Sequence, residues 1–387
     1  MNAAFAYLDH NAGAPPAPTV VRAMAEALAL GGNPSSVHRT GRLSRRLVED
    51  ARAKVADMLC VRPAEIVFTS GGTEANHLAL RGPVLAGAVD RVIVSAVEHD
   101  ALARPAEALG LPLSVLPVDA EGVVALDALD ALLSEGGRPL VSVMLANNET
   151  GVIQPVAEIA ARVRARGGIV HTDAAQAPGR LAVDAGVLGV DLLSLSAHKL
   201  GGPAGVGALM VRDGTPFAAD RVGGGQEMGR RSGTENIAGI VGFGAAVDMV
   251  ADRLADVPRL AALRDGLEVR VGAIAPETVF HGSGAARLCN TSCFGLAGVS
   301  AETQVIALDL AGVQISAGAA CSSGKVRPSP VLLAMGRTPV EAASAIRVSL
   351  GPSNTDEDIG RFIAAWSEFI TRTPLRAGAP SRKVSHA

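Results

Sequence analysis

Short apolar runs alternate with helix-like patterns over the N-terminal two thirds of the chain, and this alternation constrains the fold most strongly. Strand-like runs occur in the stretches 65–82, 91–100, 113–119, 140–155, 167–180, 191–202 and 205–212. Between them lie segments with apolar residues at helical spacing. Strands that alternate with helices in this way build a mainly parallel sheet with helices packed on it. We therefore predict an α/β fold.

Polar residues follow directly after several of these strands. In parallel α/β sheets, ligands bind at the edge formed by the carboxyl ends of the strands. A single polar residue at a strand end means little, whereas a recurring set indicates a binding cleft. The set expected to share this cleft is Thr73, His99, Asn148, Asp173, Gln176, Ser196, His198 and Lys199.

Lys199 lies in DLLSLSAHKLGG (191–202), just after an apolar run that we expect to stop at Ser196. A lysine beside a buried strand loses hydration, which lowers the pKa of its ammonium group. Lysines in such surroundings are candidates for Schiff-base chemistry with a carbonyl cofactor. The alternative, favoured for any lysine taken alone, is that Lys199 marks the exit of the strand into solvent.

A glycine-rich turn, TSGGT (69–73), follows the apolar run IVFT and precedes a helical pattern. Such a turn leaves backbone N–H groups free to hold a phosphate, and the hydroxyl of Thr73 adds a further donor. Helix N-capping by Thr73 without any ligand is the alternative.

Composition narrows the class of protein. With 387 residues, 48% of them hydrophobic and 19% charged, the chain is expected to bury a large core divided between two or three domains. The net charge of −3 favours neither DNA nor an anionic membrane. No signal peptide or membrane-length apolar run is visible, so we expect a cytoplasmic protein.

The four cysteines do not form a disulfide pattern. Cys289 and Cys293 lie four residues apart, but no second Cys/His pair accompanies them, so no metal site is expected. Cys60 is expected to be a small core residue. Cys321 differs from these, because it lies among small residues (311–336) that predict a mobile loop exposing the thiol.

Beyond about residue 250 the pattern becomes less regular, which suggests a second, smaller domain that begins with a long helix (249–273). A strand containing Arg347 and a final helix follow, and the last dozen residues have the composition of a loose tail.

Eight motifs along the chain closely resemble those of cysteine desulfurases of the NifS/IscS type, which are pyridoxal-phosphate enzymes of aminotransferase class V. The motifs occur along the chain in the same order as in the family, and the resemblance covers the chain from Leu8 to about Phe362. The motifs are TSGGTEAN (69–76), EHD (98–100), NNETG (147–151), HTDAAQ (171–176), SAHKLGGP (196–203), GGGQEMGRRSGTEN (223–236), SAGAACSSG (316–324) and AIRVSLG (345–351).

The resemblance implies the fold of pyridoxal-phosphate transferases of fold type I. A large domain (16–250) would contain a mainly parallel seven-stranded sheet. A smaller α+β domain would combine residues 1–15 with 251–387 and carry the cysteine loop, about 316–336.

The resemblance also implies a role for each site residue. Lys199 would be the Schiff-base lysine and then move the substrate α-proton. Asp173 would pair with the pyridinium nitrogen, Gln176 with the ring hydroxyl oxygen, and His99 would stack on the ring and serve in proton transfer. Gly72, Thr73, Ser196 and His198 would form the phosphate site, which Thr234 of a partner subunit would complete in a homodimer.

On the substrate side, Asn148 and Arg347 would hold the carboxylate of L-cysteine. Cys321 would attack the substrate sulfur, leaving a persulfide on the enzyme and L-alanine as product. A sulfur-acceptor protein, such as an iron–sulfur scaffold, would then be the partner.

Three alternatives remain open from the sequence. Selenocysteine lyase or cysteine-sulfinate desulfinase activity would share the cofactor without needing Cys321. A sulfur-relay component would work only with its acceptor, and an ordinary aminotransferase would give Cys321 no role.

Departures from the family pattern at His10, Gly13, Ala204 and Ala319 remove no named chemical role. The tail lacks the C-terminal extension with which housekeeping members contact their scaffold, which leaves the acceptor open.

Overall fold

A computed structural model describes residues 5–318 and 328–372 of the chain. Cys321 and the far C-terminus thus lie outside the described residues. The strands are β1 Ala6–Tyr7, β2 Ile66–Thr69, β3 Arg91–Ser95, β4 Leu113–Leu116, β5 Pro139–Ser142, β6 Ile169–Asp173, β7 Leu192–Ser196, β8 Gly207–Val211, β9 Val279–Phe280, β10 Thr291–Gly295, β11 Val313–Gln314, β12 Ser316–Ala317 and β13 Ala345–Ser349.

Fourteen α-helices accompany these strands in the described ranges. They are α1 Pro18–Leu30, α2 Arg39–Met58, α3 Gly72–Leu85, α4 Asp100–Glu107, α5 Leu126–Ser134, α6 Val156–Arg164, α7 Ala185–Leu188, α8 Ile237–Val247, α9 Val250–Ala255, α10 Val257–Ile274, α11 Ala301–Leu310, α12 Pro330–Ala334, α13 Pro339–Ser344 and α14 Asp356–Arg372.

The central element is a seven-stranded sheet in the order β2-β8-β7-β6-β5-β3-β4. Strand β8 pairs antiparallel with β2 and β7, and the other pairs are parallel. The α/β fold with a mainly parallel seven-stranded sheet is confirmed. Because β7 ends at Ser196, the predicted end of its apolar run is confirmed as well.

Both faces of this sheet are covered by helices. Successive side chains of a strand point to opposite faces, so Ile66 and Phe68 join one apolar cluster and Val67 joins another. Helices α1, α2, α5, α6 and α8 contribute to the first cluster, while α3 and α4 contribute to the second. Burial on both faces explains why these strands are continuous apolar runs in the sequence.

A second, antiparallel sheet in the order β12-β13-β10-β9 has its own apolar core. Trp366 and Phe362 of α14 pack there around Phe294, and the Trp366 indole donates a hydrogen bond to Gln304. Strand β1 pairs with β11, which brings the N-terminal residues to this part of the chain. The division into domains at residues 15 and 250 stays a prediction.

Two predictions of local structure are wrong. The single helix expected over 249–273 is two helices, α9 and α10, and Pro258 lies in the first turn of α10. Proline is tolerated there because the N–H groups of a first turn have no partner within the helix. Cys60 is exposed, not a core residue, because the chain turns away after α2 with a φ of 56° at this position.

Candidate active site

A cavity of about 310 Å³ opens at the carboxyl ends of the central strands. It brings together ten of the twelve site residues predicted from the sequence. These are Gly72, Thr73, His99, Asn148, Asp173, Gln176, Ser196, His198, Lys199 and Arg347. The other two are Thr234, which lies elsewhere, and Cys321, which lies outside the described residues.

Lys199 ends a short 3₁₀ turn, Ala197–Lys199, that follows β7 directly. Its Nζ donates hydrogen bonds to the carbonyl oxygens of Asn11 (2.5 Å) and Ala12 (3.0 Å), which aim the amine into the cavity. Burial, with the positive charges of Arg347 and Arg180, lowers the pKa of Lys199 to about 8. The lowered pKa expected from the sequence is confirmed, and about a tenth of this amine is neutral at pH 7.

Asp173 is the last residue of β6, and its carboxylate faces the cavity from the floor. One oxygen accepts a hydrogen bond from Asn76 Nδ2 (2.7 Å), and the other accepts from the backbone N–H of Ala175 (2.9 Å). These two donors fix the direction of the carboxylate. Asn76 lies on α3, so the orienting contact comes from the helix that begins at the glycine-rich turn.

The end of the cavity formed by Gly72 and Ser196 has the features of an anion site. Helix α3 begins there at Gly72, and the N–H groups of a first helical turn have no partner within the helix. A Cβ on Gly72 would lie 3.2 Å from the Cβ of Ser196, so a larger residue would crowd this corner of the cavity. Ser196 Oγ bonds His198 Nδ1 (2.9 Å), and burial beside Lys199 lowers the pKa of His198 to about 4. His198 is therefore a neutral hydrogen-bonding group at pH 7.

His99 and Gln176 line the cavity from two different directions. His99 is the N-cap of α4, where its Nδ1 accepts a hydrogen bond from Ala101 N (3.0 Å), so the neutral ring carries its proton on Nε2. Gln176 donates to the carbonyl of Asn11 and accepts from Arg180 (2.5 Å). The Gln176 amide is thereby held with its nitrogen toward the N-terminal segment.

Arg347 reaches the cavity from β13, in the second sheet, and is 1% exposed. Its guanidinium donates to the carbonyl of Asn148 (3.1 Å) and to the carboxylate of Asp9 (2.6 Å). Within the described ranges its Nε has no hydrogen-bond partner. A buried guanidinium with an N–H left over suits a carboxylate ligand, because Arg binds carboxylates through two N–H groups.

Three contributors were not assigned a role from the sequence: Asp9, Asn11 and Asn76. Asn76 lies within TSGGTEAN, and its spacing of one helical turn from Gly72 was the available signal. Asp9 and Asn11 act across more than 180 residues of chain, on Arg347 and Lys199, and no local pattern announces such contacts. His10, between them, turns away from the cavity and packs against Tyr7 and Gly351.

The donor set fits pyridoxal phosphate. Lys199 offers an amine for an aldehyde, the α3 terminus with Ser196 offers donors for a phosphate, and Asp173 offers a carboxylate for a ring nitrogen. The open corner at Gly72 lies where the phosphate end would lie. A metal centre has no comparable support, since residues 5–318 and 328–372 contain no group of three or more His, Cys, Asp or Glu side chains arranged to bind an ion.

Two further observations concern partners and membranes. Thr234 lines a separate depression with Ser70, Glu227 and Arg231, outside the cavity of its own chain. In the described part of the chain, no helix is both long enough and apolar enough to span a membrane.

Comparison with known proteins agrees with this geometry. The family model for class-V aminotransferases matches residues 6–362. The chain is 42% identical to cysteine desulfurase IscS of Dictyoglomus turgidum, with 97% of both chains covered. It is 40% identical to a cysteine desulfurase of a Nostoc species, with 97% of this chain and 94% of the relative covered.

Among solved structures, a NifS-like protein from Rickettsia africae superposes with a TM-score of 0.87 at 33% identity, covering 95% of this chain and 99% of that one. Lys199, the anion site at the start of α3 and the buried carboxylate of Asp173 line one cavity. The similarity to these proteins in sequence and fold extends over nearly the whole chain. The chain belongs to the class-V aminotransferase family, among the pyridoxal-phosphate-dependent cysteine desulfurases of the NifS/IscS type.

Proposed function

We propose that this enzyme removes sulfur from L-cysteine, giving L-alanine and a persulfide on Cys321. The observation that carries the proposal is the convergence of Lys199 and Arg347 in one cavity, an amine and a carboxylate binder from two different sheets. Pyridoxal phosphate, when bound, supplies an electron sink for the carbon centre next to the amino group.

The residues of the large sheet would hold the cofactor. Gly72, Thr73, Ser196 and His198 would bind the phosphate, and Asp173 would hold a proton on the ring nitrogen. His99 would lie against the ring, and Gln176 would contact its hydroxyl oxygen. Each of these groups ends a buried strand, lies shortly after one or opens a helix, so its backbone is fixed before any ligand binds.

Lys199 would move the substrate proton. A base acts best when its pKa is close to the working pH, and burial beside Arg347 and Arg180 brings the pKa of Lys199 to about 8. The neutral amine would take the proton from the substrate Cα and later return one to the product.

Arg347 and Asn148 would bind the substrate carboxylate, which places the reacting Cα near Lys199. Asp9 holds the guanidinium from the other side (2.6 Å), so its direction does not depend on the substrate. A preformed binder of this kind lowers the entropic cost of orienting the substrate.

Cys321 would take the sulfur. Its thiolate attacks the substrate sulfur, an S–S bond forms, and the Cβ–S bond breaks. The electron pair stays on the substrate carbon, which gains a proton to give L-alanine. The atoms and electrons balance without an external oxidant, and a thiol reductant regenerates the free Cys321.

We further propose a homodimer in which Thr234 completes the phosphate site of the partner subunit. The segment before Thr234 supports this, since Val222 is 92% exposed. Met228 is exposed as well, and exposed apolar residues in one segment are typical of an interface. A sulfur-acceptor protein, such as an iron–sulfur scaffold, would be the second partner, and a reducing cytoplasmic setting would keep Cys321 a free thiol.

The test compares Lys199→Ala and Cys321→Ala with the wild type for alanine formation from L-cysteine in the presence of a thiol reductant. Both variants should lose activity. Full activity of Cys321→Ala with L-cysteine would overturn the role of Cys321. Cys321→Ala that loses activity with L-cysteine but keeps it with selenocysteine or cysteine sulfinate fits the alternative substrates, because selenium and sulfinate depart without thiolate attack. No activity in the purified wild type would favour a relay component that needs its acceptor.

A further inference from the structure

Glu149 is a buried carboxyl group directly after the substrate-binding residue Asn148, and the mechanism above gives it no role. It lies in the loop after β5, where its backbone N–H donates to Asn147 Oδ1 (2.9 Å). Its side chain does not line the cofactor cavity. Its Oε2 accepts a hydrogen bond from Ser329 Oγ at 2.5 Å.

Ser329 is completely buried and, besides its hydrogen bond to Glu149, caps a helix. It is the N-cap of α12, and its Oγ accepts from Leu332 N (3.1 Å). Its backbone N–H donates to Ala342 O (3.3 Å). One hydroxyl group thus joins Glu149 to the start of the helix that follows the cysteine segment.

Glu149 also lies near the other end of that segment. A Cβ added to Gly318 would lie 3.4 Å from Glu149 Oε2, so the carboxylate faces the open side of Gly318. Gly318 is held in addition by its N–H, which donates to Ala345 O (3.0 Å). Gly318 and Ser329 flank residues 319–328, and Cys321 lies between them in the sequence.

Two charged or titratable groups face this carboxyl. Arg347 of β13 lowers the pKa of Glu149, burial raises it more strongly, and the result is a pKa of about 7. Cys293 of β10 lies beside it, and its thiol pKa is raised by burial and by the Glu149 charge. The oxygen facing Ser329 accepts a hydrogen bond in either protonation state, so the link does not require a particular charge.

We propose that Glu149 is a positioning residue that ties the substrate-carboxylate subsite, through Ser329, to the C-terminal end of the segment carrying Cys321. This rests on the proposed function, because it assigns Glu149 to the sulfur-transfer step alone. Binding of L-cysteine and removal of its Cα proton depend on Lys199 and Arg347 and need no contact from Glu149.

The experiment separates these steps in one turnover. Holoenzyme is mixed with L-cysteine, the early change in cofactor absorbance reports binding and proton removal, and quenched-flow mass spectrometry reports the persulfide. In Glu149→Ala, persulfide formation should slow by about tenfold, as for the loss of one buried hydrogen bond. The absorbance change should keep its rate within about twofold. Glu149→Gln keeps an oxygen acceptor for Ser329 and should recover most of the rate.

Thr338→Ala is the matched control, because Thr338 caps the next helix, α13, without contacting Glu149. It should leave both rates unchanged. Equal slowing of the two steps in Glu149→Ala, or no recovery in Glu149→Gln, would overturn the inference and make Glu149 a general packing residue. Normal persulfide formation in Glu149→Ala would overturn it too. A persulfide that still forms in Cys321→Ala would instead overturn the proposed function.

Discussion

The cavity has two walls that are built in different ways. The wall formed by the seven-stranded sheet places its functional groups through local geometry, because Asp173 ends a buried strand and Lys199 ends the short turn that follows one. The wall formed by the second sheet and the N-terminal segment relies on contacts between distant parts of the chain. Arg347 pairs with Asp9, and the carbonyl oxygen of Asn11 accepts a hydrogen bond from Lys199. In the proposed function, the first wall holds the bound cofactor and the second wall binds the substrate.

The largest expected effect tests the first wall at Lys199. Lys199→Ala should lower the rate of alanine formation by about 100-fold or more, because it removes the proton-transfer group. Alanine is measured by chromatography after incubation with L-cysteine. Lys54→Ala, which removes an exposed lysine paired with Asp248, should keep the wild-type rate. Substantial activity in Lys199→Ala would mean that another group, such as His99, moves the proton.

Arg347→Lys should give the next largest effect, on the second wall. Lysine keeps the positive charge but loses the planar pair of N–H donors, so kcat/KM for L-cysteine should fall by roughly 10- to 100-fold. Asp9→Asn keeps the Arg347 guanidinium but weakens its ion pair. It should therefore raise the KM for L-cysteine less than Arg347→Lys does. Steady-state kinetics at several cysteine concentrations distinguish the two variants. A larger loss in Asp9→Asn than in Arg347→Lys would show that Asp9 has a role of its own.

The two walls also differ in how far the sequence predicts them. The strand-end residues of the first wall follow from the alternation of strands and helices, because chain direction alone places Asp173 and Lys199 at one sheet edge. Asn148 also follows from the strand ends, but Arg347 and the pairing of these two residues on a carboxylate were assigned from the family resemblance, since nothing local indicates that a strand near residue 347 reaches a loop near residue 148. Asp9 and Glu149 were missed because their partners are far away in the sequence.

A substitution at Glu98 should have a smaller effect, which is measured in the free energy of unfolding. Burial, together with the negative charge of Asp173, raises its pKa to about 8, while hydrogen bonds from Ser95 and Met144 oppose the shift. A raised pKa means that the stabilisation is present below the unfolded value near 4.5 and is lost as the pH rises through 8. Glu98→Gln stays neutral and still accepts these bonds. Relative to wild type, it should therefore gain about 1–3 kcal/mol in free energy of unfolding at pH 9.

Denaturant unfolding at pH 6 and pH 9 measures this difference. The wild type should lose more stability than Glu98→Gln between the two pH values. Glu135→Gln, at an exposed carboxylate paired with Arg91, serves as the control and should follow the wild type. Parallel pH profiles for Glu98→Gln and wild type would show that Glu98 is already ionised in the folded protein.

The smallest expected effect compares one glycine in each wall. Gly72→Ala places a Cβ 3.2 Å from Ser196 at the phosphate corner, a close contact that costs about 1 kcal/mol and weakens cofactor binding about fivefold. Gly318→Ala places a Cβ at ordinary contact distance from Glu149, in the wall that does not hold the cofactor, and should leave cofactor affinity unchanged. Absorbance titration of the cofactor-free enzyme with pyridoxal phosphate gives both dissociation constants. If Gly318→Ala weakened the cofactor as much as Gly72→Ala, the two walls would not be separate in function, because a change beside the cysteine segment would reach the phosphate corner.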